Sequence, residues 1–123
     1  MDKKKKIRIG IVGFGGQGSA YVRILKAGLV KNGTLGAVCD IDPAKLDAQY
    51  KKFGLGCPQF TTHEAMFKSG CVDAVVVTTP HYFHPPIVID ALRAGLHAMS
   101  DKPAGVYTKQ VKEMIAVAQL LYT

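Results

Sequence analysis

Apolar residues fall along this chain in two alternating rhythms. Short, near-continuous apolar runs rich in β-branched residues are separated by stretches where apolar positions recur three or four residues apart. The first rhythm marks strands buried on both faces, and the second marks helices with one apolar side. Ile7 to Gly13 is the first run and predicts a central strand. A glycine cluster follows. Ala20, Ile24 and Ala27 then repeat at helical spacing, predicting a helix over Ser19 to Ala27 that Gly28 ends. Thr34 to Cys39 predicts a second strand. Asp42 as N-cap and Pro43 as first helical residue open a helix reaching Phe53, stopped by Gly54 and Gly56. Gln59 to Thr61 allows a short third strand. Thr61-x-x-Glu64 has capping-box spacing and predicts a brief helix to Lys68, ended by Gly70. Val72 to Thr79 is the strongest strand, and Pro80 stops it. Pro85 and Pro86 suit the first turn of a helix running to Ala94, with Gly95 behind it. His97 to Ser100 reads as a fifth strand. Thr108 caps a last helix, with Val111, Ile115, Ala118 and Leu121 on one side.

Strict alternation of strand and helix predicts an α/β fold built on a doubly wound parallel sheet. At 123 residues the chain fits one domain, read here as residues 7–123 behind a basic leader at 1–6. Apolar residues make up 48% and charged residues 20%, which excludes the disordered and collagen classes. No apolar run approaches the roughly 18 residues of a membrane span. The start MDKKKKIRIGIVG has basic residues before an apolar stretch, but Arg8 splits that stretch and no A-x-A cleavage site follows. The cytoplasm is therefore the expected compartment. Cys39, Cys57 and Cys71 are odd in number and lack CxxC spacing, so neither a disulfide framework nor a zinc cage is expected. Net charge is +7, of which +4 falls in the first eight residues. The tail is expected to be a solvated leader. No basic, aromatic-interleaved patch recurs to suggest nucleic acid as a partner.

Gly13-Phe14-Gly15-Gly16-Gln17-Gly18 matches G-x-G-x-x-G directly after a predicted strand, the context in which the pattern binds a dinucleotide. Gly13 permits the tight turn, Gly15 lets backbone approach a pyrophosphate, and Gly18 lets helix and strand pack closely. The helix behind them offers unpaired N–H groups to the phosphates. Asp40 closes the second strand, where a carboxylate accepts hydrogen bonds from ribose hydroxyls and repels a 2′-phosphate. NAD is thus expected ahead of NADP, although Lys45 is near enough in sequence to help with a phosphate. The run Thr78-Thr79-Pro80-His81-Tyr82-Phe83-His84-Pro85 follows the fourth strand, at the sheet end where ligands bind. His84 is read as orienting that loop. His81 and His84 have no carboxylate or third ligand beside them, so no metal is expected. Asp101-Lys102-Pro103 follows the fifth strand. A lysine there can polarise a substrate hydroxyl or carbonyl and stabilise an alkoxide during hydride transfer.

These motifs together resemble the Gfo/Idh/MocA oxidoreductases over essentially residues 7 to 120: GFGGQG after the first strand, CD ending the second, TTPHYFH after the fourth, ALRAGLHAMSDKP through the fifth. The resemblance implies a Rossmann domain for NAD or NADP. Lys102 matches the lysine of the family's Glu-Lys-Pro signature, which serves at the catalytic centre. Asp101 replaces the usual Glu, and His81 stands where Asn is common. The candidate cofactor contacts are Gly13, Phe14, Gly15, Gly16, Gln17, Gly18, Asp40, Ile41, Thr79, Pro80, His84, Asp101 and Lys102, with Lys102 also the candidate catalytic residue. Family members carry a second α/β domain that supplies most substrate contacts, further catalytic groups and the oligomer interface. This chain lacks that C-terminal domain, so it is expected to be the N-terminal portion of a longer enzyme, inactive by itself. An exposed apolar patch on the last helix and fifth-strand edge follows from the same reading. The implied reaction is hydride transfer between a nicotinamide cofactor and a sugar or polyol hydroxyl. The rival reading is a stand-alone, non-catalytic dinucleotide-binding module. A methyltransferase is disfavoured, because no acid stands just before the glycines.

Overall fold

The computed structural model describes residues 6–30, 32–78 and 84–100. Five strands, β1 (Ile7–Val12), β2 (Gly33–Cys39), β3 (Gln59–Phe60), β4 (Ala74–Val77) and β5 (His97–Ser100), alternate with four helices. The helices are α1 (Gly16–Lys26), α2 (Pro43–Lys52), α3 (His63–Lys68) and α4 (His84–Arg93). The strands form one parallel sheet in the order β3-β2-β1-β4-β5. The order reverses at β1 and β4, and a doubly wound sheet places its ligand crevice beyond the strand ends at that switch point. No helix among the described residues is long and apolar enough to cross a membrane.

Strand alternation divides the core. Ile9, Ile11, Val38 and Val76 pack with Phe14, Tyr21, Val22 and Leu46 on the α1 and α2 side. Val12, Cys39, Val75 and Val77 pack with Met66, Phe67, Ile87 and Ala91 on the α3 and α4 side. Both faces of the sheet are covered, which is why its central strands read as continuous apolar runs. Ile89 and Leu92 are exposed on α4. The apolar patch expected on a last helix lies outside the described residues, while β5 does stand at the sheet edge.

Two expectations need correcting. α1 begins at Gly16 rather than Ser19, with Gly15 as its N-cap. Ser19 is not a start signal. Its hydroxyl donates back to the Gly15 carbonyl at 2.6 Å, one turn earlier. The capping box on Thr61 does not form either. Thr62 is the N-cap of α3, its Oγ1 accepting the Ala65 N–H at 3.2 Å. Arg8 lies within β1, as the first predicted strand has it, and its guanidinium meets the Asp73 carboxylate through Nε at 3.1 Å and Nη2 at 2.8 Å. Its Nη1 donates to the Gly70 carbonyl at 2.8 Å, the Arg8 N–H donates to the Asp73 carboxylate at 2.9 Å, and the Asp73 N–H donates to the Arg8 carbonyl at 2.7 Å. This fork pins the entry of β4 to the start of β1, at the sheet end opposite the crevice.

Cys39 ends β2 with its thiol buried. Burial first, then the nearby charges of Asp40 and Glu64, push that thiol up to about 12.

Two outcomes follow. Asp73→Ala leaves the Arg8 fork without its carboxylate and is expected to lower unfolding free energy by about 1–3 kcal/mol. Urea melts check this, and an unchanged midpoint would refute the role assigned to the pair. For Cys39, the folded thiol holds its proton where the unfolded thiol has lost it. The stability it contributes is therefore complete below about pH 8.5 and declines by up to ~1.4 kcal/mol per pH unit above that. Melts of the native chain and Cys39→Ala across the alkaline range should diverge, the native chain falling more steeply.

Candidate functional site

The glycine turn sits where β1 gives way to α1, and three neighbouring elements fix it. From β2, the Cys39 carbonyl accepts the Gly13 N–H at 2.8 Å. From β4, the Thr78 hydroxyl donates to the Gly13 and Val12 carbonyls. From α2, the Gln49 amide donates to Ser19 Oγ at 3.0 Å and to the Phe14 carbonyl at 3.4 Å. Gly13 turns at φ 98°, in the left-handed region that side chains resist. At Gly18, a Cβ would stand 1.9 Å from the Gly13 carbonyl oxygen, so only glycine lets α1 pack this close to the turn.

Asp40 is the centre of the arrangement. It is only 7% exposed. Its Oδ2 accepts the Phe14 N–H at 2.9 Å, and its Oδ1 accepts the Asp42 N–H at 2.9 Å. One carboxylate thus joins the glycine turn to the start of α2. An ionised carboxylate has about four acceptor positions, so roughly two remain for hydroxyl donors. Lys45, one turn into α2, brings Nζ to 3.6 Å from Oδ2. Asp42 caps α2 by accepting the Ala44 and Lys45 N–H groups, which leaves Asp40 out of helix capping.

A cavity of about 560 Å³ opens beyond these strand ends. Gly13, Gly15, Asp40 and Ile41 line one side, Thr62, His63 and Glu64 another, and Thr78 and Ile87 a third. Ile41 is 75% exposed and presents its side chain beside Asp40. At Gly15 a Cβ would point at the Lys45 ammonium, 3.3 Å away. The bare backbone keeps that approach clear, as passage of a pyrophosphate requires. The donor set fits a dinucleotide: a glycine turn opening a helix, a carboxylate with spare acceptor positions, and an apolar wall.

Among the described residues, His63, Glu64 and Asp90 bring metal-ligand atom types within 4.8 Å of one another. Asp90 meets His63 Nε2 at 2.9 Å, while Glu64 stands 3.6 Å from Nδ1. Each carboxylate sits against a different ring nitrogen of His63. The trio braces α3 against α4, and the ring, tilted on Phe67, forms part of the cavity wall.

Of the sequence candidates, Gly13, Gly15, Asp40 and Ile41 line the cavity. Gly18 supports the turn from behind. Phe14 joins the turn with its side chain turned inward. Its ring is 0% exposed and stacks on Phe53, so the residue belongs to the turn through its backbone alone. Gly16 is the first residue of α1, Gln17 follows it, and His84 is the first residue of α4. Thr79, Pro80, His81, Asp101 and Lys102 lie outside the described residues. Two groups escaped the sequence reading. Thr78 straps the turn, and its signal was its place directly behind the strongest strand. The Thr62–Glu64 wall had only capping chemistry to mark it.

Residues 7–121 match the family described as an oxidoreductase family with an NAD-binding Rossmann fold, Gfo/Idh/MocA. The chain is 33% identical over 109 residues to an inositol 2-dehydrogenase/D-chiro-inositol 3-dehydrogenase of Lactiplantibacillus plantarum, covering 88% of this chain and 31% of that protein. It is 27% identical over 125 residues to a glycosyl hydrolase family 109 protein of Shewanella pealeana, covering 95% of this chain and 27% of that protein. Among solved structures, scyllo-inositol dehydrogenase from Lactobacillus casei with bound NAD(H) and scyllo-inositol superimposes with a TM-score of 0.71 at 30% identity. That match covers 94% of this chain and 34% of the other. The chain thus spans about a third of the length of the proteins it resembles. With the glycine turn, the β2 carboxylate and the reversing parallel sheet in one piece, this chain belongs to the Gfo/Idh/MocA oxidoreductases and has their NAD-binding Rossmann fold.

Proposed function

We propose that this chain is the cofactor domain of an oxidoreductase that moves a hydride between a nicotinamide cofactor and a hydroxyl-bearing carbon of a polyol or sugar. The observation that carries this reading is convergence: Gly13, Gly15 and Asp40 meet at one cavity, at the point where the strand order reverses. The relatives' names support the substrate class. Inositol dehydrogenases and a glycosyl hydrolase family share polyhydroxylated rings as their chemistry. Because the chain spans about a third of those relatives, the activity is proposed for a protein of their length built on this domain.

Each residue has a task in that reading. The Gly15 backbone and the first N–H groups of α1 take the pyrophosphate. Asp40 accepts from the adenosine ribose with the lone pairs left by Phe14 and Asp42. Ile41 offers an apolar surface beside the ribose site, where the adenine ring would lie. Thr79, Pro80, His84 and Asp101 are proposed contacts on the sequence pattern. When bound, the nicotinamide ring supplies the hydride acceptor or donor. Lys102 is proposed to hold the substrate hydroxyl and stabilise the alkoxide left as the hydroxyl proton passes to a general base or water; that alkoxide would become a carbonyl as its carbon gives hydride to the nicotinamide.

Paired glycine variants test the cofactor site. Gly15→Ala should keep the native melting temperature, since the added methyl meets only the flexible end of Lys45, yet weaken NAD binding by about tenfold or more. Gly18→Ala should destabilise the fold itself, because its methyl meets backbone. Calorimetric titration with NAD, beside thermal melts, separates the two. Undiminished NAD binding by Gly15→Ala would refute the pyrophosphate assignment. In a protein of the relatives' length, Lys102→Met should lower polyol-dependent NAD reduction by about a hundredfold or more. A loss below about threefold would remove Lys102 from the reaction and favour a binding module.

A further inference from the structure

Asp40 is the acceptor expected to prefer NAD, yet it does not stand alone. The Lys45 ammonium lies 3.6 Å from its Oδ2 and 3.3 Å from the Cβ position of Gly15, on the rim of the same cavity. The lysine is held there by its backbone: its own N–H bonds to Asp42, the N-cap whose N–H in turn bonds to Asp40. The side chain is half-exposed, so the ammonium can swing from the carboxylate toward a ligand without unpacking the core. The repulsion a bare carboxylate would direct at a 2′-phosphate is thus offset by a cation within reach of the same ribose position.

We infer that Lys45 is a specificity-determining residue that admits a 2′-phosphorylated adenosine ribose, so that the site accepts NADP alongside NAD. The inference rests on the reading of this cavity as the dinucleotide site. Two phosphates could draw the ammonium: the 2′-phosphate beside Asp40, or the pyrophosphate above Gly15. The ion pair with the ribose acceptor, on the helix that follows that acceptor, favours the first.

The test is calorimetric titration of this chain, Lys45→Gln and Lys45→Arg with four probes: NAD, NADP, AMP and adenosine 2′,5′-bisphosphate. The unaltered chain is expected to bind NADP within about tenfold of NAD. Lys45→Gln should weaken NADP and the bisphosphate by about tenfold more than it weakens NAD and AMP, and Lys45→Arg should restore most of that loss. The NADP affinity of the unaltered chain should also depend more steeply on salt than that of Lys45→Gln. Equal losses for NAD and NADP would overturn the inference and assign Lys45 to the pyrophosphate. NAD binding with NADP rejected by more than about a hundredfold would overturn it as well, leaving Asp40 in sole control. Failure of the unaltered chain to bind any of the four would instead overturn the cavity reading on which the inference stands.

Discussion

One buried carboxylate holds the ligand-binding end of this fold together. Asp40 accepts one backbone N–H from the glycine turn and another from the start of α2. A buried charge is costly unless hydrogen bonds satisfy it, and these two N–H groups do so. In exchange the turn acquires a fixed position relative to β2. Every other tie to the turn is consistent with that position: the Cys39 carbonyl, the Thr78 hydroxyl and the Gln49 amide approach it from three different elements. The carboxylate is therefore part of the scaffold before any ligand arrives. Its ligand-binding capacity is what remains after the scaffold has taken its share.

Legibility follows from how local each determinant is. The strands, the glycine turn and the acid at the end of β2 were readable because each is a short contiguous pattern. The Asp42 and Pro43 opening of α2 was readable for the same reason, and the structure forms it as expected. The start of α1 was misplaced because glycine is a poor helix former, and propensity favoured Ser19. Tertiary bonds to the turn overrode that preference. Capping-box spacing to Glu64 singled out Thr61, yet the cap forms one residue later, on Thr62. Phe14 looked like a loop residue free to meet a ligand. Its stacking partner Phe53 lies at the end of α2, far away in sequence, and no local pattern announced the pair. The strand around Arg8 was readable, but its partner Asp73 lies 65 residues on and no local pattern announced it.

The two ends of the sheet divide the work. At one end, Arg8, Gly70 and Asp73 lock β4 against β1 through a guanidinium fork, an Asp73 N–H bond to the Arg8 carbonyl and an Arg8 N–H bond to the Asp73 carboxylate. None of these three residues lines the cavity. At the other end the turn, Asp40, Lys45 and the α3 wall surround it. Parallel strands make this division natural, because every strand ends at the same edge and every crossover returns to the opposite one. Substitutions at the first end should speak through stability, and those at the second through binding.

That division has a limit at Asp40, where scaffold and site share one side chain. Removing its carboxylate would free the Phe14 and Asp42 N–H groups as well as take away the proposed ribose acceptor, so lost affinity in such a variant would have two causes. Gly15 and Lys45 do not carry this ambiguity to the same degree. The first has only the flexible end of Lys45 where a methyl would go, and the second is a half-exposed side chain on a helix capped by another residue. Both touch the ligand space while bearing little of the fold. In a site built on one shared carboxylate, the residues beside it are therefore the ones whose substitution reports on recognition rather than on folding.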